Sequence, residues 1–191
     1  YTITHNADST LQIGATESIT EYRYRGASPK NYVTFNNEVW RIIGVFPTDD
    51  GTGKIENRIK LVRNESIGQY VADSNNSVEI AWPETNMNNY LNGTYLSLLT
   101  SEAQSMIGSS KYYLGGYDGY VSGKGLIQTS VDMYSYERKI SGSNYYYGSN
   151  PNSFIGKIGV MYASDYGYAT LNCETKQLYN SNSSSNDIRA C

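Results

Sequence analysis

Three acidic side chains have the type and setting to do hydrolytic work: Glu137 in YSYERK, Asp165 in SDYGY and Glu84 in WPET. Two carboxyl groups facing each other across a glycosidic bond can hydrolyse it, one as acid and the other as base or nucleophile. Arg138 adjoins Glu137, however, and an Arg138–carboxylate bridge that locks loops is the better expectation for these groups. His5 is the one histidine, so any Ser–His or Cys–His pair would have to use it. A single imidazole also excludes metal binding by an imidazole cluster. Asp49, Asp50, Thr52 and Glu56 in TDDGTGKIEN set hard oxygen ligands around two glycines, which is the chemistry of a calcium site. The spacing departs from the twelve-residue calcium loop and Lys54 stands in the middle, so a plain β-turn is favoured. No cofactor other than calcium at that turn is in view. The glycine-rich pieces contain no GxxxxGK[ST] phosphate loop.

Binding chemistry is better represented than reactive chemistry. The chain carries 20 tyrosines in 191 residues. Tyrosine supplies a large contact area with few rotamers to lose, and a hydroxyl for polar partners. Tyr112, Tyr113, Tyr117, Tyr120, Tyr145, Tyr146 and Tyr147 cluster beside Gly, Ser and Asn. They can stack on sugar rings or on another protein; equally, they can cover irregular loops. Four NxS/T triplets begin at Asn64, Asn75, Asn92 and Asn182, matches that an Asn/Ser-rich chain produces by chance.

Charge narrows the partners. The net charge is −3 and charged residues make up 17% of the chain, below the usual quarter, so no broad basic face exists for nucleic acid or anionic membrane. No apolar run has the length of a membrane span, so direct membrane insertion by this segment is not expected. No charged-then-apolar leader is present, and a signal or anchor is expected to lie outside the segment. Cys173 and Cys191 flank the polar stretch ETKQLYNSNSSSNDIRA. Their spacing fits no zinc knuckle, haem site or CxxC pair. A disulfide in an oxidising compartment is the preferred reading, worth about 3 kcal/mol in the chain-entropy model, with two buried thiols as its alternative.

The elements that must position these groups are mostly strands. Residues 1–28 read as an N-terminal extended segment, with ITEYRYRG as a candidate edge strand. Residues 29–191 read as a single domain. YVTF and VWRIIGVF form a hairpin turning at Asn36–Asn37, with Trp40, Ile42 and Val45 inward. RIKLVR adds a third antiparallel strand, with Ile59, Leu61 and Val62 toward the core. Helix is expected from Pro83, with Met87, Tyr90 and Leu91 on one face and a break at Asn92–Gly93. A second helix runs from Ser101 to Ile107, capped by Thr100 or Ser101, its apolar side formed by Ala103, Met106 and Ile107. MYSYER is strand or helix. GKIGVMY is a strand with Ile158, Val160 and Tyr162 inward, followed by a short helix capped at Ser164 or Asp165.

The combination of NYVTFNNEVWRIIGVF, DDGTGKIENRIKLVRNESIGQY, YERK and GKIGVMYASDYGYAT resembles a module of surface proteins from Gram-positive gut bacteria, often placed behind a type IV prepilin-like leader or a membrane anchor. The likeness runs from about Ile19 to Cys191. It implies a cysteine after the DYGYAT block and a second one further on, positions that Cys173 and Cys191 match, and so it supports the disulfide. It also implies a Trp-rich closing segment, which this sequence does not contain. A more distant likeness in element order is to C-type-lectin-like and formylglycine-enzyme-like folds, which bears on fold alone. The expectation is therefore an α+β domain, a twisted antiparallel sheet with two or three short helices and long Tyr/Gly/Asn/Ser-rich loops. The expected function is that of a non-enzymatic extracellular protein on the bacterial cell surface. It would be a pilin-like subunit or adhesin meeting copies of itself or other surface proteins. A carbohydrate-binding module and a glycosidase-like enzyme are the alternatives.

Overall fold

In a computed structural model, residues 1–74, 80–115, 129–140, 150–176 and 178 are described. They form an α+β fold. Strands β3 (Tyr32–Phe35) and β4 (Glu38–Asp49) turn through Asn36 and Asn37, both in the left-handed region with φ of 52° and 59°. Asparagine tolerates that conformation, and the resulting turn matches the twist of the strands it joins. Strand β5 (Ile55–Arg63) returns antiparallel along β4 and completes the expected meander.

The N-terminal residues extend this sheet. Strand β1 (Thr2–His5) pairs with β2 (Ile19–Arg23), and β2 pairs in turn with β4. ITEYR is thus an interior strand and not the expected edge. The order is β1-β2-β4-β3, with β5 on the other side of β4. Strands β2 and β3 share one edge of the long β4: β3 takes Glu38 to Arg41, and β2 takes Gly44 and Val45. Between them the register with β5 slips, Ile42 lying opposite Leu61 and Gly44 opposite Lys60. Such a bulge exchanges the faces of everything beyond it.

Beyond the bulge the expected core lies on the more open face of the sheet. Val45 and Ile59 are paired, and Tyr22 is paired with Val45. The three lie in one outward row, with Tyr22 54% and Ile59 63% exposed. Ile59 is therefore a surface residue, and Val45, like Trp40 and Ile42, is only half-buried. Phe46, Glu21 and Arg23 are buried on the opposite face. The bulge keeps Ile42 and Val45 on one face, with Leu61 and Ile59 paired to them, as expected; around Val45 that face is the more open one, and the opposite face is buried.

The helical stretch is continuous where a break was expected. A 3₁₀ turn (Trp82–Glu84) leads into α1 (Asn86–Asn89), whose first turn is capped by the Thr85 hydroxyl accepting from the Asn88 amide at 3.0 Å. A π-helical turn (Tyr90–Tyr95) then carries the chain through Asn92–Gly93 into α2 (Leu96–Leu98). The Asn92 side chain explains this path. Its oxygen accepts the amides of Lys157 and Ile158 at 2.9 and 3.1 Å, and its nitrogen donates to the Ile158 carbonyl at 2.9 Å. Those amides are consequently lost to any strand ladder. GKIGVMY is not a strand, and the strand lies just before it, in β7 (Ser153–Gly156), paired with β6 (Ser110–Tyr113). Val160, expected inward, is 52% exposed. Helix α3 (Ser101–Met106) is capped by Thr100 as expected. Ala103 is buried against Leu91, Tyr95 and Leu99, whereas Met106 points to solvent.

Helices α4 (Ser130–Arg138) and α5 (Ala163–Ala169) pack on each other. MYSYER is therefore helical. Thr129 and Asp132 cap α4 reciprocally, the hydroxyl accepting the Asp132 amide at 3.1 Å and the carboxylate the Thr129 amide at 3.0 Å. A Cβ on Gly167 would lie 2.0 Å from the Ser130 hydroxyl, so the two helices approach at a distance only glycine permits there. The N-terminal residues are sewn to α4: Gln12 donates its amide to the Arg138 carbonyl at 2.8 Å, and Ile140 to that of Thr10 at 2.8 Å.

Candidate functional site

The inner face of the sheet is charged. In β2 the period of two puts Ile19, Glu21 and Arg23 on one side, and α5 delivers Asp165 against them. The Arg23 Nε donates to Glu21 Oε2 at 2.8 Å and its Nη1 to Asp165 Oδ1 at 2.8 Å. Its Nη2 lies 2.7 Å from Glu21 Oε2 without a well-aligned hydrogen bond. Lys60 donates to the other oxygen of Asp165, which also accepts the Tyr162 amide at 3.3 Å. The Arg23 guanidinium sits between the rings of Phe46 and Tyr168, at 4.5 and 4.9 Å. His5 joins from β1, its Nε2 3.2 Å from Glu21 Oε2 and its ring stacked on Tyr134 at 3.5 Å.

A second ion pair lies beside the first. Arg138 donates to Glu137 Oε2 at 2.9 Å and to the Tyr134 carbonyl at 3.1 Å, with its guanidinium 3.7 Å over the Tyr134 ring. Glu137 is held from α5 as well: Ser164 donates its amide to Oε1 at 2.9 Å and its hydroxyl to Oε2 at 2.6 Å. The expected Arg138–carboxylate bridge is present within α4, and the Ser164 hydrogen bonds to Glu137 fasten α4 to α5.

The two carboxylates named as a hydrolytic pair meet different fields. Burial alone would raise Asp165, but the charges of Lys60 and Arg23 overcome it and bring its pKa to about 2. Burial raises Glu137, with the charge of Asp165 adding to it, and Arg138 and Ser164 only partly offset this. For Glu21 burial also acts upward, but the hydrogen bond from His5 and the charge of Arg23 prevail and the net shift is downward. Of the candidate pair, Glu137 lines the cavity described below. Glu84 is exposed on the 3₁₀ turn.

These shifts have opposite consequences for stability. Glu137, raised on folding, contributes stability that is lost as pH rises through its folded value and regained on the way down to about its ordinary 4.5. Asp165, depressed on folding, contributes stability present above its ordinary 3.8 and lost as pH falls toward about 2. Denaturant midpoints are expected to rise slightly on mild acidification and then collapse. In Glu137→Gln the first limb should flatten and the second remain; a flat profile throughout would contradict the assignment.

The cavity has a volume of about 400 Å³. Its walls include Trp82, Met133 and Met161, and Glu137, Tyr113 and Tyr162 supply polar atoms. The Tyr113 amide donates to the Tyr162 oxygen at 2.6 Å, while the Tyr113 hydroxyl is buried without a hydrogen-bond partner among the described residues. Burial pushes the Tyr113 phenol up to about 12.

Of the other residues singled out from sequence, Tyr112 is half-buried in β6, tilted against Phe154, with its phenol also raised to about 12 by burial. Tyr113 is buried next to Ile13 and Ile19. Tyr117, Tyr120, Tyr145, Tyr146, Tyr147 and Cys191 lie outside the described residues. Cys173 is buried and carries no free thiol. Asp49 accepts the amides of Gly51 and Gly53 at 2.8 and 3.1 Å, and Asp50 accepts the Thr52 amide at 2.8 Å. Glu56 is paired with Lys54 and Arg58. The calcium candidates thus serve the turn between β4 and β5, and no cluster of metal-binding side chains occurs among the described residues.

The sequence reading missed Glu21, Arg23, Lys60 and Ser164. The one available signal was the alternation of ITEYR, which puts Glu21 and Arg23 on the same face as Ile19. No protein-family model, curated protein or solved structure matches the chain.

Proposed function

We propose that this chain is a non-enzymatic module of the bacterial cell surface, a pilin-like subunit or adhesin that assembles with copies of itself. The observation that carries this reading is the outward face of the sheet. Tyr22 and Ile59 flank Val45 in one row across three strands, and Ile55 adds a further half-exposed side chain at the end of β5. Apolar side chains adjacent on a pleated face form a contiguous surface suited to a protein partner. Among the described residues no strand pairs with the outer side of β1, whose TITH sequence has no lysine, arginine or carboxylate. Strand β5 by contrast bears Arg58, Lys60 and Arg63, and charge of that kind discourages edge-to-edge pairing. The state of the carboxylates supports the same reading. Both oxygens of Asp165 and both of Glu137 are already hydrogen-bonded within the protein, so they act as fasteners.

The experiment is size-exclusion chromatography with light scattering, beside electron microscopy of the purified chain. Oligomers or filaments are expected. The double variant Tyr22→Lys, Ile59→Lys should weaken self-association at least about tenfold while leaving the unfolding midpoint nearly unchanged. A wild-type chain that stays monomeric at every attainable concentration would overturn the proposal.

A further inference from the structure

We propose that copies of this chain join head to tail, the Tyr22–Val45–Ile59 row of one sheet landing on the Tyr32–Val39 face of the next. The proposal rests on the assembly reading above and names the surface that receives the row. Strand β5 supplies the frame. It pairs without omission across the bulge, so its odd and even residues mark the two faces of the sheet. Ile59 faces with Val45 and Tyr22. Val62 faces the other way, with Arg41, and Arg41 is paired with Tyr32. Val39, two positions from Arg41, shares that side with its partner Thr34.

The two faces are covered at opposite ends. The helical stretch packs the first face near the β3–β4 turn, where Phe35 lies against the cluster of Leu91, Tyr95, Leu99 and Ala103 and Asn36 accepts the Thr100 amide at 2.8 Å. Helix α5 closes the second face at the other end, where Asp165 meets Arg23. Each layer stops short of the far end. Tyr22 and Ile59 are thus left open on one side, and Tyr32 and Val39, 60% and 49% exposed, on the other. Adjacent exposed apolar side chains mark a partner surface, and this sheet carries one on each side. A contact that joins the two is heterologous and propagates from copy to copy.

Charge selects that pairing. The Arg41 guanidinium stands 4.9 Å from the centre of the Tyr32 ring, and among the described residues it meets no carboxylate, only the Asn31 oxygen at 3.5 Å. Two copies meeting through this face would set two uncompensated guanidinium groups against each other. The first face has no such charge around Ile59: its neighbours there are Thr2, Thr20, Tyr22, Val45 and Asn57. Tyr22 offers an aromatic ring to the guanidinium, and Ile59 an apolar contact to Tyr32 and Val39. Pairing of the Tyr22 row with itself would leave Tyr32 and Val39 bare.

The test is a mixing experiment read by size-exclusion chromatography with light scattering. Tyr22→Lys, Ile59→Lys removes one patch, and Tyr32→Lys, Val39→Lys removes the other. Each variant alone should self-associate at least about tenfold more weakly than wild type. An equimolar mixture should form a dimer that grows no further, because one intact face of each kind remains. The milder Tyr32→Thr, Val39→Thr, which keeps strand-forming residues, should weaken assembly in the same direction and guards against a misfolded lysine variant. A wild-type chain that stays monomeric overturns the assembly reading and this proposal with it. A wild-type chain that assembles, beside a Tyr32→Lys, Val39→Lys variant that assembles equally well, overturns the head-to-tail contact alone. So does a mixture that remains monomeric, or a dimer that either variant forms by itself with undiminished affinity.

Discussion

Asp165→Ala is expected to destabilise the fold by about 3–5 kcal/mol, the cost of leaving a buried charge without its partner. The Asp165 side chain is fully buried and that of Arg23 is 1% exposed, so neither can turn to water. Removing the carboxylate deprives Arg23 of one counter-charge and, among the described residues, leaves Glu21, which it contacts through a different edge of the guanidinium. Lys60 is also released, but its side chain is 27% exposed and can swing outward. Lys60→Met should therefore cost distinctly less than Asp165→Ala. With total stabilities of roughly 5–15 kcal/mol for single domains, the Asp165 variant loses a large share of the fold. Equilibrium urea unfolding of both variants checks this. A loss below about 1 kcal/mol for Asp165→Ala would mean that the ionic core is relieved by solvent.

Gly44→Ala is expected to cost about 2–3 kcal/mol through overpacking. A Cβ there would lie 2.2 Å from the Tyr22 carbonyl oxygen and 3.1 Å from both the Arg23 Cα and the Phe46 ring. The first two are backbone atoms of the paired strand, so relief requires β2 to move away from β4, and Arg23 moves with it. Gly93→Ala provides the contrast. Nothing lies within 4 Å of its Cβ position, and an alanine in a helical turn is favoured by about 0.5–1 kcal/mol. Opposite signs for the two substitutions, read from thermal or urea unfolding, would place the strain in the β2–β4 contact.

Local features of the fold were legible because local chemistry dictates them. Two asparagines can take left-handed dihedrals, so the β3–β4 turn followed from composition. Thr100 precedes Ser-Glu-Ala, so the α3 cap followed from pattern. The bulge between Ile42 and Gly44 was not legible, since nothing in IIGVF marks which residue is left out of the ladder. Its consequence is that Phe46 turns to the buried face, opposite Ile42 and Val45, while Ile59 stays with Leu61 on the open one. The charged core escaped for a related reason. Hydropathy places Glu21 and Arg23 at the surface, and only Asp165, far along the chain, makes their burial tolerable. Arg138 with a carboxylate was foreseeable from adjacency in sequence, whereas the two hydrogen bonds from Ser164 depend on the packing of α4 against α5.

The ties between the N-terminal residues and the far end of the chain bear on how the molecule is made. Arg23 and Asp165 are separated by 142 positions, Gln12 and the Asn152 carbonyl by 140, and Arg25 and Glu174 by 149. Contacts of such long range slow folding, because loop closure precedes the gain. During synthesis β1 and β2 emerge before α4 and α5, yet Arg23 and Glu21 obtain their full counter-charges only when α4 and α5 have followed. A nascent chain halted before Ala163 would therefore hold a sheet with an uncovered charged face. Commitment to the native state is deferred until α5 has been made.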